Sequence, residues 1–158
     1  MAAAIMLVED NKDDLFFMKL AIKRAEIQNP LYVACDGEHA IEFLRQAAHS
    51  TSESGNGAAA IPCLILLDLK LPKLTGHEVL RWIREQPSLK RVPVIVLTAS
   101  RDDRDIETAY RLGANSYFAK PSETDTLVEI VKLLRDYWLK HCIPPPVVVE
   151  RTAELCAG

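Results

Sequence analysis

No stretch of this chain approaches the roughly 18 continuous apolar residues of a membrane-spanning helix. The N-terminus has no basic n-region, and its short apolar run soon meets Glu9 and Asp10, so no signal peptide is expected. The four cysteines, Cys35, Cys63, Cys142 and Cys156, form no CxxC pair and no cysteine–histidine cluster with zinc spacing. His39, His49, His77 and His141 are scattered and form no metal motif. Cys35 and Cys63 lie in or beside apolar runs, and reduced thiols in a cytoplasmic protein are expected. Nineteen basic residues against 22 acidic ones give a net charge of −3. No basic excess therefore draws the chain onto nucleic acid or an anionic membrane.

What is present is ordinary for one globular domain. The 158 residues are 49% apolar and 26% charged. That length buries a real core, and the composition does not suit disorder, collagen or coiled coil. Short apolar runs occur at Ile5 to Val8, Cys63 to Leu67, Val94 to Leu97 and Tyr117 to Ala119, with a weaker one at Leu31 to Ala34. They are too short for helices and continuous rather than alternating, the pattern of strands covered on both faces.

Helical spacing fills the gaps. Leu15, Met18, Ile22 and Ala25 recur every three or four residues, as do Ala40, Phe43, Leu44 and Ala47. Leu127, Ile130, Val131, Leu134 and Trp138 follow the same spacing. Val79, Leu80 and Ile83 mark a shorter helix, and Ile106, Ala109 and Tyr110 another. Thr75-x-x-Glu78 reads as a capping box. Asn11, Asp36, Ser100 or Asp102, and Ser122 are candidate N-caps, and Gly113 a helix end. The order is β-α repeated five times, which predicts an α/β domain with a parallel sheet and right-handed crossovers. Ala48 to Ala60 is expected to be a surface loop lengthening the second crossover. Residues 142–158 form a proline-containing tail after a domain spanning 3–141.

The polar residues that follow these runs are the informative ones. The first run ends in Glu9-Asp10, the third strand in Asp68, the fourth in Thr98 and the fifth in Lys120-Pro121. Parallel strands present their carboxyl ends on one sheet edge, where ligand sites of open α/β sheets lie. A lone Asp after a strand is most often a helix cap, but four mutually compatible strand ends are hard to assign to capping. Three clustered carboxylates repel one another, and a divalent cation relieves the conflict; oxygen-only ligands suit Mg²⁺. Asp68 is then placed to attack a phosphoryl group, with Lys120 and Thr98 contacting its oxygens.

These residues resemble the receiver domain of two-component response regulators. The matching segments are Leu7-Val8-Glu9-Asp10-Asn11, Leu66-Leu67-Asp68-Leu69-Lys70-Leu71-Pro72 followed by Gly76, Val96-Leu97-Thr98-Ala99, and Lys120-Pro121. The long second crossover loop, the Leu-Pro-Lys after Asp68 and Tyr137-Trp138 are most like single-domain regulators paired with bacterial phytochromes.

The resemblance implies a flavodoxin-like (βα)5 doubly wound sheet with strand order 2-1-3-4-5. It implies that Asp68 accepts a phosphoryl group from a sensor histidine kinase, possession of a phytochrome being one candidate for its input. Mg²⁺ would be held by Glu9, Asp10, Asp68 and the backbone carbonyl of Lys70, and Lys120 would contact the phosphoryl group. The bond before Pro121 would be cis. Thr98 and Tyr117 would form the switch pair, and output or homodimerisation would use the fourth helix, fifth strand and fifth helix. Lys70 and Ser100 would tune phosphoryl hydrolysis, Lys70 by partly occluding the site.

Two other function classes compete with this switch. One is an interaction module with an unused phosphosite. The other is an aspartyl-phosphate phosphohydrolase of the haloacid dehalogenase type, but Asp68-Leu69-Lys70 lacks the second Asp that serves there as general acid. The charge run Arg101 to Asp105 reads as a solvated face, with cross-subunit ion pairs as the alternative. Trp82, Tyr137 and Trp138 read as packing residues, and Val147-Val148-Val149 as part of a flexible tail.

Overall fold

The computed structural model describes residues 2–50 and 60–146. Five strands are present among them: β1 (Ile5–Val8), β2 (Leu31–Ala34), β3 (Leu64–Leu67), β4 (Val94–Thr98) and β5 (Ser116–Ala119). They alternate with α1 (Lys12–Arg24), α2 (Gly37–Ser50), α3 (Gly76–Glu85), α4 (Asp103–Arg111) and α5 (Thr124–Leu134). All strand pairs are parallel, in the order β2-β1-β3-β4-β5. This is the flavodoxin-like order expected from the sequence.

The continuous apolar runs are explained by two cores, one on each face of the sheet. Met6, Val8, Ile65, Leu67, Val94 and Val96 face one way, onto Ala40 and Leu44 of α2, Val79, Leu80 and Ile83 of α3, and Ala109 of α4. Ile5, Leu7, Leu64, Leu66, Ile95 and Leu97 face the other, onto α1 and α5 through Met18, Ile22, Leu127, Val128 and Val131. Successive residues serve opposite cores, so β1, β3 and β4 have no polar face to spare.

The helix ends are set by local hydrogen bonds. Asn11 Oδ1 accepts from the amides of Asp13 and Asp14 at 3.0 Å. The capping box forms between Thr75 and Glu78, and Asp36 accepts from the His39 amide at 2.7 Å. Asp102 rather than Ser100 caps α4. Ser122 does not cap α5: the flanking residue is Glu123, and its side chain makes no cap bond. α2 runs on to Ser50, so the expected loop loses its first three residues to the helix. The rest of that loop up to residue 59, and Val147 to Val149, lie outside the described residues.

Three further expectations change. α5 continues as a π-helical segment, Arg135–His141, in which the Cys142 amide donates to the Tyr137 carbonyl at 2.7 Å. There Trp138 packs on the α1/α5 core, while Tyr137 is exposed. Tyr110 is also exposed, because α4 buries only Ala109. The bond before Pro121 is trans, not cis; a proline amide keeps a trans preference of about 0.5–1 kcal/mol, and Lys120 reaches its partners from that form.

Candidate functional site

The carboxyl ends of β1, β3, β4 and β5 bring Glu9, Asp10, Asp68, Thr98 and Lys120 to one edge of the sheet. The ladder itself extends into the site. The Asp68 amide donates to the Val8 carbonyl at 3.1 Å, and the Lys120 amide to the Thr98 carbonyl at 2.7 Å. The backbones that carry these side chains are therefore held by the sheet rather than by free loops. α3 packs hard against this edge: a Cβ on Gly76 would lie 2.2 Å from the Asp68 carbonyl oxygen.

Glu9 and Asp68 are nearly inaccessible, at 3% and 6% exposure, whereas Asp10 is exposed. The Lys120 ammonium spends its three donors on carboxylates. It donates to Glu9 Oε2 at 2.6 Å, to Asp14 Oδ2 at 2.7 Å and to Asp68 Oδ2 at 2.7 Å. The other oxygens of the two buried acids are also used. The Asn11 amide donates to Glu9 Oε1 at 3.0 Å, and the Lys70 amide to Asp68 Oδ1 at 3.2 Å.

Electrostatics separates these acids. Burial raises the Glu9 carboxyl, the Asp68 charge adds to it, and the Lys120 bond opposes, leaving it at about 7. Burial also acts on Asp68, but the bond and charge of Lys120, with help from the Lys70 amide, hold it below the usual carboxylate range. Burial pulls Lys120 down, and its bonds to Asp14, Asp68 and Glu9 more than reverse this, keeping it firmly protonated.

A carboxylate oxygen from each of Glu9, Asp10 and Asp68 lies within 4.8 Å of the other two. Such an all-oxygen donor set fits a hard divalent cation. The Thr98 hydroxyl adds a second sign of something to be bound. It is fully buried beside Asp68, yet it lacks any hydrogen-bond partner, a costly state for a buried donor. Tyr117 lies on the neighbouring strand, and its hydroxyl donates to the Ser100 carbonyl at 2.9 Å. Ser100 Oγ in turn donates to Asp105 at 2.5 Å. The Lys70 side chain is exposed, and its backbone approaches Asp68 through the amide just described.

Asp14 is the site residue that sequence reasoning missed. Its signal was present: α1 starts at the same sheet edge, and Asp14 lies in its first turn.

Residues 5–132 match the response regulator receiver domain family. The chain belongs to that family. The response regulator Rcp1 of a Synechocystis strain is 38% identical over 141 residues, covering 89% of this chain and 92% of Rcp1. The probable methanogenesis regulatory protein FilR2 of Methanothrix harundinacea is 37% identical over 135 residues, covering 85% of this chain and 83% of FilR2. The structure of the phosphorylated cyanobacterial phytochrome response regulator RcpA matches with TM-score 0.79 at 37% identity, covering 92% of this chain and 100% of RcpA. The Mn²⁺-bound form of Rcp1 matches with TM-score 0.77 at 36% identity, covering 91% and 99%. The likeness to phytochrome-associated regulators read from the sequence therefore holds for this receiver. No helix among its described residues is long and apolar enough to cross a membrane.

Proposed function

We propose that this receiver is a phosphoryl switch in which Asp68 takes a phosphoryl group from the phosphohistidine of a sensor kinase. The observation that carries the reading is the state of Asp68: a buried carboxylate kept ionised by Lys120, within reach of two further acids. An Asp68 oxygen attacks phosphorus, the P–N bond to the imidazole breaks, and the aspartyl phosphate forms. Glu9, Asp10, Asp68 and the Lys70 backbone carbonyl would hold Mg²⁺, which when bound neutralises charge on the phosphoryl oxygens.

Lys120 supplies a fixed positive charge to one phosphoryl oxygen. Thr98 is placed to donate its unpaired hydroxyl to another. Satisfying that donor is a differential interaction of the sort that shifts a two-state equilibrium. Movement of Thr98 would be felt at Tyr117, which sits on the next strand and is tied to the loop leading into α4. Output and homodimerisation would then use the face formed by α4, β5 and α5, where Tyr110 is exposed. The phytochrome regulator RcpA supports a phytochrome-type kinase as the donor.

Incubation with Mg²⁺ and acetyl phosphate, read by intact mass, tests the chemistry. Wild type is expected to gain one labile phosphoryl group, and Asp68→Asn none. Equal labelling of both proteins would place the modification elsewhere and overturn the assignment.

A further inference from the structure

Lys120 has three carboxylate partners, and they are not equivalent. Glu9 and Asp68 belong to the acidic cluster that fits a divalent cation; Asp14 does not. When Glu9 and Asp68 turn their oxygens to a cation, and Asp68 esterifies one of them, both have less charge left for an ammonium. The Lys120 side chain is only 15% exposed. A cation so buried does not stay in place without a counter-ion. Of the three carboxylates, Asp14 is the one that remains to hold the ammonium where a phosphoryl oxygen arrives.

The local structure suits that task. Asp14 lies in the first turn of a 13-residue helix, not on a loop, and its amide donates to the capping Asn11 side chain at 3.0 Å. Its carboxylate is 42% exposed and reaches the ammonium from the solvent side of the site. Without it the ammonium has somewhere else to go. A cavity of about 80 Å³ opens beside the site, lined by Asp14, Phe17, Lys120, Pro121 and Ser122 among others. An ammonium free to move into that space is no longer fixed in one place.

We propose that Asp14 is a positioning residue that keeps Lys120 aimed at the phosphoryl group when Glu9 and Asp68 are engaged by a divalent cation. This rests on Asp68 being the phosphoacceptor and on the acidic cluster being a cation site. It adds a residue whose whole contribution passes through Lys120.

The test compares wild type, Asp14→Asn and Asp14→Glu, all saturated with Mg²⁺. Two quantities are read: the rate of phosphorylation by acetyl phosphate, and the NMR signal of the Lys120 ammonium protons. In Asp14→Asn the rate is expected to fall about fivefold, the scale of losing one partly exposed charge pair. The ammonium signal, sharp in wild type because its protons are held, is expected to broaden through exchange with water. Asp14→Glu is expected to restore both in part. In a Lys120→Met background, Asp14→Asn is expected to change the residual rate no further. An unchanged ammonium signal in Asp14→Asn would overturn the proposal, as would an equal loss of rate with and without Lys120. A wild type that gains no phosphoryl group would instead overturn the phosphoacceptor reading, and the ammonium signal would still decide the role of Asp14.

Discussion

Glu9 and Asp68 occupy one site and share one lysine, yet burial wins for the first and loses for the second. Asp68 accepts from Lys120 and from the Lys70 amide, so its charge is well supported. Glu9 is the more deeply buried of the two and feels the Asp68 charge as repulsion, which leaves its carboxyl at about 7. A proton on Glu9 competes with a cation for the same oxygens. Affinity for a cation at the proposed site is therefore expected to rise with pH, steeply below that value and little above it. Between one unit below and one unit above, the gain is about tenfold for a single competing proton. Calorimetric titration with Mg²⁺ across that window checks this, and Glu9→Gln is expected to flatten the profile. An affinity that does not vary with pH in wild type would remove Glu9 as the competing group.

At the scale of the elements, the site depends on how closely α3 is seated. Gly76 starts α3, and its Cα rests against the Asp68–Leu69 backbone, its amide donating to the Leu69 carbonyl at 2.8 Å. A methyl group there meets backbone atoms at 2.2 and 2.6 Å, and neither can rotate away. Gly76→Ala is expected to cost about 3 kcal/mol, the upper range for overpacking, by urea unfolding. It should also displace Asp68 and slow phosphorylation beyond what stability explains. A loss below about 1 kcal/mol would show that α3 slides freely on this edge. Gly76 was legible in the sequence only as part of a motif; the close approach that requires it is a property of the packed helix. The same contrast runs through the rest of the molecule. Strand runs such as Ile5 to Val8 announced their burial because each residue serves one of two cores. The strand-end residues Glu9, Asp68, Thr98 and Lys120 followed from parallel order alone. Asp14 did not, since it joins Lys120 across 106 positions and only the docking of α1 makes them neighbours. Tyr110 fitted helical spacing but lies on a helix that buries one residue. Nothing in the local pattern of Arg135 to His141 distinguishes π from α winding, so the helix read as uniform.

For the whole molecule, the apolar cores and the acidic edge pull in opposite directions. Strands β1, β3 and β4 are buried along their length and hold the sheet together. Their carboxyl ends and the first turn of α1 then gather Glu9, Asp10, Asp14 and Asp68 around a single lysine. Four acids against one ammonium leave uncompensated repulsion that exists only in the folded chain, because unfolding scatters the charges. A cation that binds this edge relieves it and binds the folded state alone. At about tenfold excess over its Kd such a ligand adds roughly 1.4 kcal/mol to stability. For a domain of this size that raises the thermal unfolding midpoint by about 3–6 °C. The measurement is a melting series in Mg²⁺ against NaCl at matched ionic strength, since screening alone also softens the repulsion. Asp10→Asn removes an exposed carboxylate of the proposed cation site without disturbing the core and should lose most of the Mg²⁺-specific rise. If Mg²⁺ and matched NaCl raise the midpoint equally in wild type, the edge merely repels itself and does not bind the cation, and the Mg²⁺-dependent switch fails with it.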